Sequence, residues 1–314
     1  MPLQEQVDVS TFQAVRPRAK KSPAAGPRIP LGMRRSVVVS LAPAIILFGT
    51  FFLVPLIVLA FTAFSRWQGL DFAFNGTENY ERLFADPVFW KAAGNTLFYS
   101  LASIVIQVPL GVLVGMTLAM RLPGWKTFRT IIFIPFVISG AAYALIFAMF
   151  YNSRYGLLNN MIGPLTGGNR DWLFDSSTAR WAVAGTFVFI LGFVVIVIMA
   201  EIANIPGEIC EAAEMDGASL VQQQWFIVLP LLRNAIGTCV LIRLLADIGM
   251  FDLVFILTSG GPNDATATLA LYAYRAYVSG EWGYANAIGS IILLIGAFLI
   301  VSVRRAFRIG ERSL

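Results

Sequence analysis

Six apolar stretches, each close to or above the length that crosses a bilayer, constrain this chain more than any other feature. The first runs from Ser36 to Phe64, nearly thirty residues, and five more cover roughly 94–120, 130–151, 181–203, 234–258 and 284–303. About 20 apolar residues in a helix span the ~30 Å of hydrocarbon, so each stretch is a candidate transmembrane helix. The first exceeds the apolar core of a cleaved signal peptide and reads as a retained span. Pro109, Pro135, Gly140 and Gly192 fall inside these stretches. Membrane helices tolerate such residues because neighbouring helices or waters satisfy the freed backbone groups. Composition agrees: 57% of the 314 residues are apolar and 13% are charged, against about 25% charged in a soluble domain. The expected fold is an all-α membrane protein, a bundle of about six transmembrane helices.

The charges sit at the ends of these stretches. With the N-terminus taken as cytoplasmic, the inside segments hold fifteen Lys and Arg: seven in 1–35, three in 121–129, one in 204–233 and four in 304–314. The outside loops hold seven, diluted by acids such as Asp71, Glu78, Glu81 and Asp86. The positive-inside rule then puts both termini in the cytoplasm. The net charge of +5 follows from this orientation, and no basic stripe points to nucleic acid. The expected domains are a disordered basic cytoplasmic tail over 1–35, a six-helix membrane domain over 36–303 and a cytoplasmic C-terminal tail over 304–314. Asn75-Gly76-Thr77 reads as a turn. The chain has no histidine, and its two cysteines, Cys210 and Cys239, lack metal-type spacing. Histidine-based triads, zinc proteases and most proton shuttles are excluded. No G-x-x-x-x-G-K-[S/T] loop occurs, so any ATP that drives this protein is bound elsewhere.

One inside loop breaks the charge rule. Residues 204–233 carry only Arg233 against Glu208, Glu211, Glu214 and Asp216. Pro206 suits the first turn of a helix, and Glu208 and Glu211 complement the positive end of its dipole. The three glutamates, three residues apart, lie within about 120° of one helix face. Ala212 and Ala213 keep that helix thin enough to enter a groove. Gly217 can take the left-handed conformation that ends it. Ser219 and Gln222 have the S-x-x-Q form of a capping box that starts a second helix reaching Leu229-Pro230. The reading is a short acidic helix presented to something in the cytoplasm.

Glu211-Ala212-Ala213, then Gly217, then nine residues and Ile227-x-Leu229-Pro230 resemble the EAA loop of importer permeases of the ATP-binding-cassette class. With Asp216 and Ala218 the loop has the form E-A-A-x2-D-G-A, which resembles the sugar-type branch. Phe251-Asp252 followed by Thr258-Ser259-Gly260-Gly261-Pro262, and Gly283-Tyr284-Ala285-x-Ala287, are similar to segments of the carbohydrate-uptake permeases. The resemblance covers about 36–303. It implies a multi-pass protein of the bacterial inner membrane that forms half of a translocation pathway and catalyses no bond change. It also implies a coupling loop, about 204–232, in which Glu208, Glu211, Ala212, Ala213, Asp216, Gly217, Ile227, Leu229 and Pro230 meet a separate ATPase. The partners implied are a second permease, two ATPase subunits that hold the ATP and magnesium, and an extracytoplasmic sugar-binding protein. No cofactor is expected on this chain. Two departures stand out: the eight-helix maltose-type subunit with its large periplasmic domain is not matched, and Gln222-Gln223-Gln224-Trp225 differs from the commoner single-glutamine pattern.

Candidate path residues lie within the spans. In the second, Asn95, Thr96, Tyr99, Ser100, Ser103 and Gln107 form one polar stripe, which serves either as helix–helix glue or as a pore face. In the fifth, Arg243 and Asp247 pair with each other or line the path; a charge at mid-membrane costs about 2.5–3.5 kcal/mol and normally finds a partner. Asp252 lies where a sugar hydroxyl could reach it. Tyr143, Trp282 and Tyr284 either stack on a sugar ring or anchor helix ends at the interface. Two other functions remain open: a permease for a phosphorylated polyol, polyamine or other small solute, against which Arg243 stands as the only candidate cation within the spans, and a membrane enzyme acting on lipid or glycan.

Overall fold

The structure is a computed structural model, and it describes residues 31–166 and 168–307. The tail expected over 1–35 lies outside the described residues as far as Pro30, and so do residues 308–314. Two compact units divide at Pro55. In the first, Met1–Pro55, helix α1 (Leu31–Phe48) passes through one π-helical turn, Gly49–Leu53, into the start of α2 (Val54–Thr62). Helix therefore begins at Leu31, within the stretch assigned to the tail.

The second unit, Leu56–Leu314, begins with the remainder of α2 and a short antiparallel hairpin, β1 (Ser65–Gln68) and β2 (Asp71–Phe74). These strands were not foreseen, because four residues are too few to display an alternating pattern. Helices α3 (Glu78–Ala85) and α4 (Pro87–Ala119) follow. Asp86 starts α4 by accepting a hydrogen bond from the Val88 amide at 2.8 Å, with Pro87 in the first turn, where its missing N–H leaves no gap. Next come α5 (Trp125–Val137), α6 (Gly140–Phe150), α7 (Leu157–Thr166), α8 (Ala179–Gly185) and α9 (Gly192–Ile202). A 3₁₀ turn, Thr186–Phe189, precedes α9. The remainder is α10 (Gly207–Met215), α11 (Leu220–Gln223), α12 (Leu229–Leu231), α13 (Arg233–Ile248), α14 (Asp252–Thr258), α15 (Leu269–Val278) and α16 (Trp282–Phe307). Helix α16 continues past residue 303, and Arg304 and Arg305 in its last turn oppose the negative end of its dipole.

Among the described residues, four stretches are long and apolar enough to cross a membrane unbroken: Val39–Thr62, Pro87–Ala119, Ala179–Ile202 and Trp282–Phe307. The other two expected spans are broken. The one placed at 130–151 bends by 101° between α5 and α6. Pro135 has no N–H to give the ladder, Ile138 is extended, and Ser139 caps the new helix by accepting from the Ala142 amide at 3.3 Å. The one placed at 234–258 stops at Gly249, and Asp252–Thr258 is a separate helix. The Met250 carbonyl left at that break accepts from Thr268 Oγ1 at 2.8 Å. On its N-terminal side α13 joins α11, a π-helical turn (Gln224–Val228) and α12 through a 62° bend. The second half of the expected coupling loop is thus helix that runs into the fifth span.

Helices α4 and α9 approach each other closely. A methyl on Gly111 would meet Val194 Cβ at 2.5 Å, and one on Gly115 would meet Ile198 Cβ at 2.9 Å. Lipid removes the hydrophobic drive between helices, so such small-residue contacts supply association through close van der Waals packing. Val112, Val194, Ile198, Leu232, Cys239 and Leu244 belong to one buried core, against which Ile205, Cys210 and Leu229 pack.

Candidate functional site

Helix α10 has no buried residue. Pro206 stands at its N-cap, one position ahead of the first turn, with ψ 128°. Glu208, Glu211, Glu214 and Asp216 are all exposed, and no basic group lies within 4 Å of any of them among the described residues. At its end Gly217 has φ +81°. The Gly217 amide donates to Glu214 O and the Ala218 amide to Ala213 O, both at 2.9 Å. These two bonds are the Schellman pattern that closes a helix on a left-handed residue. Ser219 then opens α11 with the expected capping box: its amide donates to Gln222 Oε1 at 2.8 Å, and the Gln222 amide donates to Ser219 Oγ at 3.4 Å.

Two of the three successive glutamines, Gln222 and Gln223, have a structural role. Gln222 makes the cap, while Gln223, buried beneath the turn, donates to Ala218 O at 3.1 Å and ties the two helices together. Ile205, Cys210 and Leu229 rest on the core of Val228 and Leu232. Ala213 and Ile227 are half-buried, and Ala212 and Pro230 exposed. Met215 (88% exposed), next to Glu214 in α10, and Phe226 (78%), in the turn after α11, are largely exposed. Residues 204–232 therefore expose acidic and apolar side chains on helices ordered by local capping and packed on a buried core.

The polar stripe of α4 divides by depth. Asn95 Nδ2 donates to Asp264 O at 3.1 Å and Ala267 O at 3.0 Å, and Thr96 Oγ1 accepts from the Leu269 amide at 3.0 Å. Both residues hold the Gly-Gly-Pro loop against the helix. Deeper in, Arg243 Nη2 donates to Asp247 Oδ1 at 2.7 Å and its Nε to Ser103 Oγ at 3.3 Å. The two charges form an ion pair with side chains 15% and 3% exposed, while Asp247 Oδ2 has no hydrogen-bond partner among the described residues. Gln107 is fully buried, and its amide atoms have no hydrogen-bond partner among the described residues. Tyr143 is buried and donates its hydroxyl to Thr186 O at 2.6 Å.

Tyr284 is buried too. Its hydroxyl meets that of Tyr272 at 2.8 Å, and the Arg82 guanidinium lies 4.2 Å over its ring while pairing with Glu281. Tyr272 also donates to Asp86. Burial, then the Asp86 contact, push the Tyr272 hydroxyl well above its usual range, which keeps it a donor. Trp282 stacks edge-on against Trp67. Of the path candidates, Asp252 alone is exposed, at the first turn of α14 and beside Gly140 at the α5–α6 break.

Sequence reasoning missed the neighbours of Asp252. Phe251 stacks on Phe255 at 5.1 Å and meets Tyr274 at 4.8 Å. It also missed the clamp on Thr258–Pro262: Arg275 donates to Asp264 Oδ1 at 2.5 Å and Ser259 O at 2.6 Å, and Thr258 and Thr266 share a 2.7 Å hydroxyl contact. The F-D spacing pointed to this loop, but partners from α15 leave no local signal.

No protein-family model matches the chain. It is 37% identical over 262 residues to the multiple sugar-binding transport system permease protein MsmF of Streptococcus mutans, covering 81% of this chain and 89% of that one. It is 34% identical over 285 residues to the probable ABC transporter permease protein YurN of Bacillus subtilis, covering 87% and 96%. Its fold matches a chain of the crystal structure of a bacterial ABC transporter that imports the acidic polysaccharide alginate. That match has a TM-score of 0.78 and 24% identity, and covers 90% of this chain and 98% of that one.

Proposed function

This chain belongs to the family of permease subunits of ATP-binding-cassette sugar importers, and from that premise we propose that α10 and the start of α11 are its contact with a separate ATPase. The observation that carries the reading is the exposed acidic helix closed by Gly217 at φ +81°, fixed at its base to the core under the fifth span. A helix so held transmits a push from a soluble partner to the membrane bundle. Glu208, Glu211 and Asp216 meet basic groups on that partner, Ala212 and Ala213 let it approach, and Ile227, Leu229 and Pro230 carry the motion into α13. ATP and magnesium belong to the ATPase subunits in this reading. A second permease and an extracytoplasmic sugar-binding protein complete the importer, and both termini of this chain lie in the cytoplasm.

For the substrate we propose the group of exposed Asp252, Phe255 and Tyr274 with half-buried Phe251. Aromatic faces take the C–H side of a sugar ring, and a carboxylate accepts from its hydroxyls. Asn95, Tyr143, Tyr284 and the Arg243–Asp247 pair hold helices and loops together, and Gln107 is enclosed in the bundle. The test is uptake of labelled oligosaccharides by vesicles holding the complete importer. Asp252→Ala and Phe255→Ala should lower sugar uptake while ATPase co-purification stays at the wild-type level. Wild-type uptake in both variants would remove this surface from the path.

A further inference from the structure

Arg121 and Arg129 stand on either side of Trp125 around a cavity of about 430 Å³, floored by Ile196, Met199 and Ala203 of the α9 end. Neither guanidinium pairs with a carboxylate among the described residues. Trp125 also walls a second cavity of about 420 Å³, lined by apolar side chains such as Leu113, Leu118, Phe128 and Ile132. Leu122 and Phe128 there are largely exposed. Arg121 itself sits at φ +54° just past the end of α4, a conformation that non-glycine residues rarely adopt. A third cation, Lys126, lies 6.0 Å from the Trp125 ring.

We propose that these two cavities together bind one anionic phospholipid, its headgroup phosphate between Arg121 and Arg129 and an acyl chain along the Leu113–Phe128–Ile132 groove. Unpaired cations at the end of a membrane helix attract a headgroup phosphate, and basic pockets between such helices are where anionic lipids lodge. Arginine suits the task because its planar fork meets two phosphate oxygens at once. A free phosphate would need only the first cavity, whereas the apolar groove sharing the Trp125 wall calls for an acyl chain. The floor of the headgroup cavity ends at Ala203, four residues ahead of Gly207, where α10 begins. A lipid there would brace the root of the exposed acidic helix.

The test uses the full chain purified with its partner subunits and reconstituted with phosphatidylcholine or phosphatidylglycerol bearing a photoactivatable acyl chain. Cross-links from phosphatidylglycerol should map to residues 113–132 and 196–203 of the wild-type protein. After detergent extraction, the Arg121→Gln, Arg129→Gln double variant should retain about 25-fold less phosphatidylglycerol, roughly fivefold per cation. The corresponding double lysine variant should stay within a few-fold of wild type, Arg154→Gln should match it, and excess inorganic phosphate should not displace the lipid. Equal retention in wild type and the double glutamine variant would overturn the proposal. So would cross-links confined to other helices or to a partner chain, or displacement by inorganic phosphate, which would mean an anion pocket without an acyl site.

Discussion

Gly217 has open space around its missing side chain, with nothing within 4 Å of where a Cβ would stand. Its requirement is conformational: at φ +81° a β-branched residue is strained. Gly217→Val should therefore leave the protein inserted but lower ATPase co-purification and sugar-stimulated ATP hydrolysis several-fold, with Gly217→Asn nearer wild type because asparagine tolerates the left-handed region. Equal loss in both variants would put the cause elsewhere than the backbone. Glu211→Lys should give the same two losses by reversing charge on the exposed acidic surface. Arg243 and Asp247 call for a different test. Removing one partner of a buried pair costs about 3–5 kcal/mol, because a lone charge is left behind. Arg243→Leu or Asp247→Leu should each reduce the yield of assembled complex more than both changes together, and additive losses would argue against a coupled pair. Glu211 and Gly217 could be read from the sequence because their signals are local. The roles of Asn95, Tyr143 and Tyr284 could not, because their hydrogen-bond partners lie 12 to 172 positions away.

Helix α4 shows how one element carries two kinds of contact. Its N-terminal half ties down a loop through Asn95 and Thr96, and its C-terminal half presents Gly111 and Gly115 to α9. Gly111→Leu should overpack that contact by about 1–3 kcal/mol, lowering the thermal unfolding midpoint in detergent. Gly94→Leu on the same helix, where a Cβ meets nothing within 4 Å, should cost far less. Similar midpoints for the two would mean that the α4–α9 approach contributes little. The breaks in the third and fifth spans belong to this scale as well. Proline and glycine positions hinted at them, but hydropathy averages over a bend, so both ran on as single apolar stretches in the sequence.

For the whole molecule, the four unbroken spans and the two bent pairs make up to six crossings among the described residues. Together with the bias of fifteen Lys and Arg to seven, six crossings would put both termini on one side, the arrangement proposed above. Reporter fusions at Asn75, Asn160 and Asn263 should read outside, and fusions at Lys126 and Gln223 inside. Opposite sides for the fusions at Lys126 and Gln223 would refute this arrangement. Gln223 matters most here, because a coupling surface on the far side of the bilayer could not meet an ATPase.

The sequence by itself determined that lipid is the solvent for this chain, roughly where its spans lie, and that one acidic, glycine-ended helix with a capped successor sits between two of them. Those properties depend on hydropathy summed over a window, on charge at span ends, and on bonds between residues a few positions apart. Only the tertiary structure decided which polar side chains are closed and which remain open. Arg243 and Asp247 pair, Tyr143 and Tyr284 are buried against distant partners, and Asp252 stays exposed beside a helix break. It also decided where Arg121 and Arg129 meet an apolar groove. The physical reason is that a buried polar group must find its partner in space, and the packing of α4, α9, α13 and α16 sets which residues are near enough.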